Sequence, residues 1–480
     1  MKAEKLAGLQ PASVFYYFEK VCSIPHGSGN TKQISDYLKS FADEHGIKCV
    51  QDELNNILMF QEGTCGMEDH EPVILQGHMD MVCDKDADCP INMETDGLDI
   101  THDGEYVFAK GTTLGADDGV ALAYIMAILS DKTIAHPPIE AIFTVDEESG
   151  MDGAAGVDLS GFKGRTLLNL DSGHEDIFDV ACAGGTRATI SLPVERRAVY
   201  GPCVRLTVEG LQGGHSGGEI HKNRTNANKV MGLLLDRVQE KMPICITSLT
   251  GGVKDNAIPH SAQVTLVTLG NDPACINEII DTLQAEIRAQ FDEPTAVIHG
   301  ENVEALGGNA MTTESTAKAI KLLQEVPNGV QAWSKDFDGL VETSLNLGVM
   351  GLDEDLHLTF AVRSSVNAEK RVLLNKLKAI AEKYEAGYDE TGDYPAWEYR
   401  KESRLRDTIV ETFRDMYGRD PKMVAIHAGL ECGLLSEKLP GLDCVSGGPV
   451  MYDIHTTRER LNIASTERFW NYLQEVLKRL

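Results

Sequence analysis

Pro72-Val73-Ile74-Leu75-Gln76-Gly77-His78-Met79-Asp80 is an apolar run that ends directly in a histidine and an acid. Short apolar runs of this kind read as buried strands. Two further stretches repeat the design. Ile139-Glu140-Ala141-Ile142-Phe143-Thr144-Val145 leads into Asp146, Glu147 and Glu148, and Thr166-Leu167-Leu168-Asn169-Leu170 leads into Asp171. Helical patterns alternate with them: Ile34, Tyr37, Leu38 and Phe41 share one helical face, and Gly46 stops that helix. Strands alternating with helices predict an α/β domain with a mostly parallel sheet. In such a sheet ligands sit beyond the carboxyl ends of the strands, so His78, Asp80, Glu147, Glu148 and Asp171 are expected to converge.

Working outward, the texture changes near Gly184 to longer alternating runs such as Val204-Arg205-Leu206-Thr207-Val208 and His357-Leu358-Thr359-Phe360-Ala361-Val362. These belong to an α+β domain. The expected organisation is a catalytic domain over residues 1–185 and 391–480, split by an inserted α+β lid domain over 186–390. No internal repeat at a fixed period is visible.

The chain has 480 residues, 42% hydrophobic and 25% charged, which is a globular balance with ample core. Its formal net charge of -30 argues against nucleic acid and against an anionic membrane surface as partners. The 11 cysteines are odd in number and form no CxxC pair, which argues against both a disulfide framework and a cysteine zinc site. Glu4 and Lys5 interrupt the N-terminal stretch before any signal-like apolar run develops. No run approaches the ~18 apolar residues of a membrane span. A cytoplasmic protein is expected.

Five side chains carry the chemistry of a two-metal site. His78 and Asp80, two apart on a chain leaving a strand, can point to one side. Asp117 follows the glycine-rich turn of GTTLGADDG and opens the apolar stretch Val120–Leu129, so it suits both a helix N-cap and a carboxylate bridging two cations. Asp118 reads as the N-cap. Three adjacent acids, Asp146, Glu147 and Glu148, repel one another unless a cation is near; one glutamate can ligate while the other handles protons. Asp171 and His455 complete two histidines and three carboxylates, a hard-to-borderline donor set that suits two Zn2+ ions, with Co2+ or Mn2+ tolerated. His215 sits among glycines in GLQGGHSGGEIH, which lets a ligand approach closely.

In order along the chain run SIPHGSG, LQGHMDMV, GTTLGADDG, EESGMDGA, ACAGG, GLQGGHSGGEIH, NAIP, VETSLNLGV and HAGLECGL. This string resembles, over essentially the whole chain, the di-zinc exopeptidases that include the carnosinases. Within them it is similar to the aminoacyl-histidine dipeptidase group, also called peptidase D or cytosol non-specific dipeptidases. The resemblance implies that His78 and Asp171 hold one zinc, Glu148 and His455 the other, and Asp117 bridges them. Asp80 orients His78, and Glu147 is the general base. His215 steadies the oxyanion, while Asn256 and Arg363 take the C-terminal end of the substrate. In relatives with a short lid this histidine comes from the partner subunit, whereas a lid as long as 186–390 can supply it within one chain; a homodimer is expected.

The activity implied is hydrolysis of unblocked dipeptides, including Xaa-His peptides such as carnosine. A deacylase or aminoacylase of the same superfamily and a non-catalytic metal-binding protein are the alternatives. Two departures stand out. Asp117-Asp118 replaces a frequent Asp-Asn, and Thr456-Thr457-Arg458-Glu459 replaces a common Ser-Pro-Asp-Glu, which bears on substrate preference near His455.

Overall fold

A computed structural model describes residues 4–270, 275–304 and 308–480. The chain forms two compact units, one of residues 1–181, 399–425 and 430–480 and one of residues 182–398 and 426–429.

The first unit is built on an eight-stranded mixed sheet, in the order Lys48–Gln51, Ile57–Gln61, Ile139–Thr144, Val73–His78, Thr166–Asn169, Asp443–Ser446, Ile177–Cys182 and Lys422–Ile426. The four central strands, from Ile139–Thr144 to Asp443–Ser446, run parallel, and antiparallel partners flank them. Strands covered on both faces are apolar without alternation. Val73–His78 and Ile139–Thr144 accordingly have every residue buried.

Against the sheet lies helix Ala116–Ser130, whose residues from Val120 to Leu129 are all at most 2% exposed. A helix that is apolar on every side is one that is covered on every side. Helix Lys32–His45 instead buries only one face, through Ile34, Leu38 and Phe41, and ends at Gly46 in the left-handed region with φ 68°. That conformation is easy for glycine and closes the helix end.

The second unit carries a nine-stranded antiparallel sheet. Strand Leu356–Ser364 alternates buried and half-buried residues along its whole length, as a sheet with one face on a core requires. Leu356, Leu358, Phe360 and Val362 join helices Ala227–Lys241, Thr313–Glu325 and Asn367–Lys383 in one core. Among the described residues, no helix is long and apolar enough to cross a membrane.

Candidate metal centre

The parallel strands end together, so the side chains just beyond them share one edge of the first unit. His78, the last residue of its strand, is 1% exposed. Its Nδ1 lies 2.9 Å from the Asp80 carbonyl, and its Nε2 lies 3.0 Å from Asp117 Oδ1. Both ring nitrogens thus face oxygen. Burial works against charge on His78, but the bonds to Asp117 and Asp80 override it and hold its pKa well above the ordinary value.

The strand Ile139–Thr144 passes through Asp146, at φ 58°, into a short helical turn over Glu147–Gly150. Asp80, 1% exposed, anchors that turn: its carboxylate accepts the Glu147 and Glu148 amides at 3.0 and 3.2 Å and the Ser28 hydroxyl at 2.7 Å. The turn separates the two glutamates by task. Glu148 Oε1 meets His455 Nε2 at 2.7 Å. The Glu147 carboxylate makes no hydrogen bond among the described residues, and burial pushes it up to about 8, aided by repulsion from Glu431, Glu148 and Asp117.

Asp117 links two histidines, with Oδ1 toward His78 and Oδ2 3.3 Å from His455 Nε2. His455, at φ 64°, is held up to about 10 by its bonds to Asp117 and Glu148. Three groups gather ligand atoms within 4.8 Å of one another: His78, Asp118 and Asp171; His78, Glu147 and Glu148; and Asp117, Glu148 and His455.

Asp118 corrects the sequence reading. Its side chain does not cap the helix: the backbone is non-helical at Asp117 and Asp118, and the Asp118 carboxylate reaches the strand below instead of a first-turn amide. There Oδ2 accepts the His78 amide at 3.2 Å, while Oδ1 is buried without a partner among the described residues. Burial and then repulsion from Asp171 raise its pKa well above the ordinary value; burial and then repulsion from Asp117 do the same to Asp171.

The donor set fits divalent cations. Five carboxylates, those of Asp117, Asp118, Glu147, Glu148 and Asp171, crowd two histidines, and among the described residues no Lys or Arg pairs with any of them. Carboxylate oxygens and imidazole nitrogens at this density fit hard-to-borderline divalent ions.

Two buried acids here escaped the sequence reading. Glu459, 2% exposed, accepts the amides of Leu114 and Gly115 on Oε2 at 2.8 and 2.9 Å, and those of Ala116 and Asp117 on Oε1 at 2.8 and 3.4 Å. It thereby fixes the turn that presents Asp117. Glu431 is fully buried, accepts Gln76 Nε2 at 2.5 Å and Thr144 Oγ1 at 2.7 Å, and is pushed up to about 7 by burial. Only the motif around each hinted at them, because their partners lie hundreds of residues away.

His215, Asn256 and Arg363 all fall in the second unit. His215 ends the two-residue strand paired with Ala257–Ile258, beside the turn holding the exposed Asn256. Its Nδ1 accepts the amides of Gly217 and Gly218 at 3.2 and 3.0 Å, so in the neutral ring the proton is on Nε2. Burial and then the Arg363 charge lower its pKa. Arg363 donates to the Tyr394 hydroxyl at 3.0 Å, and its Nε is buried without a partner among the described residues. His427, not singled out from the sequence, is pushed down to about 3 by burial and the same Arg363, and bonds Ser344 Oγ at 2.7 Å.

The model of peptidase family M20/M25/M40 matches residues 74–479, a span that includes every residue of this centre. The chain belongs to that family. This M20 peptidase is 35% identical to the cytosol non-specific dipeptidase of Escherichia coli (strain K12), over 99% of both chains. It matches the crystal structure of aminoacylhistidine dipeptidase from Vibrio alginolyticus with a TM-score of 0.91 and 34% identity, covering 100% of this chain and 98% of that one. An aminopeptidase PepT from Bacillus cereus shares the fold at 15% identity and a TM-score of 0.56, covering 98% of each chain.

Proposed function

We propose that this M20 peptidase is a two-zinc dipeptidase of the cytoplasm that hydrolyses unblocked dipeptides, Xaa-His peptides such as carnosine among them. The observation that carries the reading is Asp117, one carboxylate serving two histidines from opposite oxygens. In this reading His78 and Asp171 hold one cation, Glu148 and His455 hold the second, and Asp117 spans both. Asp80 positions His78 through its carbonyl and the Glu147–Glu148 turn through its carboxylate. Co2+ or Mn2+ would serve in place of Zn2+ with this donor set.

Two such cations, when bound, supply Lewis acidity that polarises the scissile carbonyl and makes water a stronger acid. The proton work belongs to Glu147. Its carboxylate meets neither a histidine nor a backbone amide among the described residues, so with cations bound beside it this group would be placed to accept a proton from the attacking water and return it to the departing amine. His215 suits the oxyanion, since a neutral ring with its proton on Nε2 donates a hydrogen bond without a full charge. Arg363 and Asn256 suit the carboxylate at the far end of the peptide. The length and identity of the match to the E. coli dipeptidase support the substrate class.

The test is hydrolysis of a panel by the zinc-loaded protein, with and without a chelator: several dipeptides, a tripeptide and an N-acetylated amino acid. Chelator-sensitive cleavage confined to dipeptides is expected. Preference for the acetylated substrate would reassign the protein to the deacylases. The resemblance to dipeptidases also supports a homodimer, for which sedimentation velocity should give one species near twice the chain mass.

A further inference from the structure

The loop over 212–225, which carries His215, is tied together by two further carboxylates of the second unit. At its base Glu293, fully buried, accepts the amide of Gln212 at 3.0 Å and that of Thr225 at 3.3 Å, so one side chain joins the two ends of the loop. Between those ends His215 has Gly213 and Gly214 before it and Gly217 and Gly218 after it. Glycine leaves a backbone more conformations than any other residue, so this histidine is aimed only if something besides its neighbours holds the chain.

Glu219 does the holding. Its Oε2 accepts the His215 amide at 3.1 Å, and its own amide donates to the His215 carbonyl at 3.0 Å, so both backbone groups of the histidine meet this one residue. Its Oε1 accepts Lys222 Nζ at 2.8 Å and Arg224 Nη2 at 2.9 Å, and Arg224 Nη1 donates to the Gly213 carbonyl. The Glu219–Arg224 pair thus reaches the chain on both sides of Gly214. It also lies directly over that residue: at Gly214, with φ 135°, a Cβ would come within 2.6 Å of Glu219 Oε2 and would strike Arg224. The bonds from Lys222 and from the His215 amide hold the Glu219 carboxyl down at about 2, so it is an anion at neutral pH and its bonds are charge-assisted.

We infer that Glu219 and Arg224 are positioning residues of the reaction, which act through His215 by fixing its backbone between Gly213 and Ser216. The inference rests on the role given to His215 in the dipeptidase reading and goes beyond it by assigning the parts that aim this side chain. An oxyanion donor is effective when it is already in place as charge develops, because it then needs no reorganisation at that moment. A histidine among four glycines meets that condition through the ion pair, whose two ends grip the carbonyl before Gly214 and the amide after it.

The experiment is a double-mutant cycle on the zinc-loaded enzyme, with kcat and KM for leucyl-glycine measured in the wild type, His215→Ala, Glu219→Gln and the double variant. His215→Ala is expected to lower kcat about 100-fold, the scale of one lost oxyanion donor. Glu219→Gln keeps the shape but can accept at only one end of the clamp, so kcat is expected to fall about tenfold, the effect of a misplaced catalytic group, with KM nearly unchanged. In the His215→Ala background the same substitution is expected to change kcat by less than about twofold, because the group it aims is gone. Arg224→Lys serves as a second variant: one nitrogen cannot reach both the Gly213 carbonyl and Glu219, so it should reproduce the Glu219→Gln loss. A Glu219→Gln loss that persists in full without His215, or wild-type kcat in both Glu219→Gln and Arg224→Lys, overturns the inference. If His215→Ala keeps wild-type kcat, the role of His215 fails and takes this inference with it; if the wild type cleaves no dipeptide at all, the dipeptidase reading fails and both fall.

Discussion

Replacing Glu459 by Gln tests how Asp117 is presented. The carboxylate accepts three short, buried bonds from Leu114, Gly115 and Ala116 and a longer, partly buried one from Asp117. Burial pushes Glu459 up, and the amides of Gly115, Leu114 and Ala116 pull against it by favouring the anion. A glutamine keeps one oxygen and turns the other position into a donor. With its oxygen on Leu114 and Gly115, its NH2 group confronts the Ala116 amide, which now lacks an acceptor. The loss of one charge-assisted bond, roughly 1.5–3 kcal/mol, and one orphaned buried amide, roughly 1–3 kcal/mol, gives about 2.5–6 kcal/mol. In a unit of this size that corresponds to a Tm lower by about 5–10 °C. The turn carrying Asp117 loosens with it, so bound metal measured by elemental analysis should fall, and activity with it. Calorimetry and metal content of the variant at wild-type values would refute the reasoning that Glu459 holds the bridge in place.

Four further outcomes are expected. Glu147→Ala should keep its metal while turnover drops at least about 100-fold, the scale of lost acid-base catalysis; wild-type turnover would remove Glu147 from the mechanism. His455→Ala should bind about half the metal of the wild type by elemental analysis, since its imidazole is the nitrogen that meets Glu148 Oε1 at 2.7 Å and Asp117 Oδ2 at 3.3 Å. For Asp179, buried with Oδ1 unpartnered among the described residues and pushed up to about 7 by burial, the folded form keeps a proton that the unfolded chain has lost above its ordinary 3.8. Its contribution is therefore full below pH 3.8 and lost as pH rises through 7, so Asp179→Asn should match the wild type near pH 4 and exceed it by about 2–4 kcal/mol at pH 8 in urea unfolding; parallel pH curves would contradict this. Nitrogen-15 spectra of labelled protein should show His215 as the Nε2–H tautomer, and the Nδ1–H form would undo the role given to its glycine amides.

What the sequence disclosed and what it hid divide along one physical line. An apolar run ending in an acid is a local pattern, and a parallel sheet brings such ends to one edge whatever the intervening loops do, so His78, Glu147, Glu148 and Asp171 could be read off as neighbours. Asp118 could not. Its side chain is aimed by a backbone kink of two residues, and Asp beside a helix start is ordinarily a cap. Glu431 and Glu459 were hidden for a different reason: each is defined by what it accepts, from Gln76 and Thr144 in one case and from residues 114–117 in the other, and those donors are brought together only by the fold. The result is a layered arrangement. Acids facing the cluster carry unfavourable charge that cations offset, whereas Glu459 and Asp80 are satisfied by backbone amides and need no cation. Substitutions in the first set, Glu147 apart, should therefore act mainly through metal binding and those in the second through the shape of the turns, so a chelator should erase the stability differences among the first set and leave those of the second.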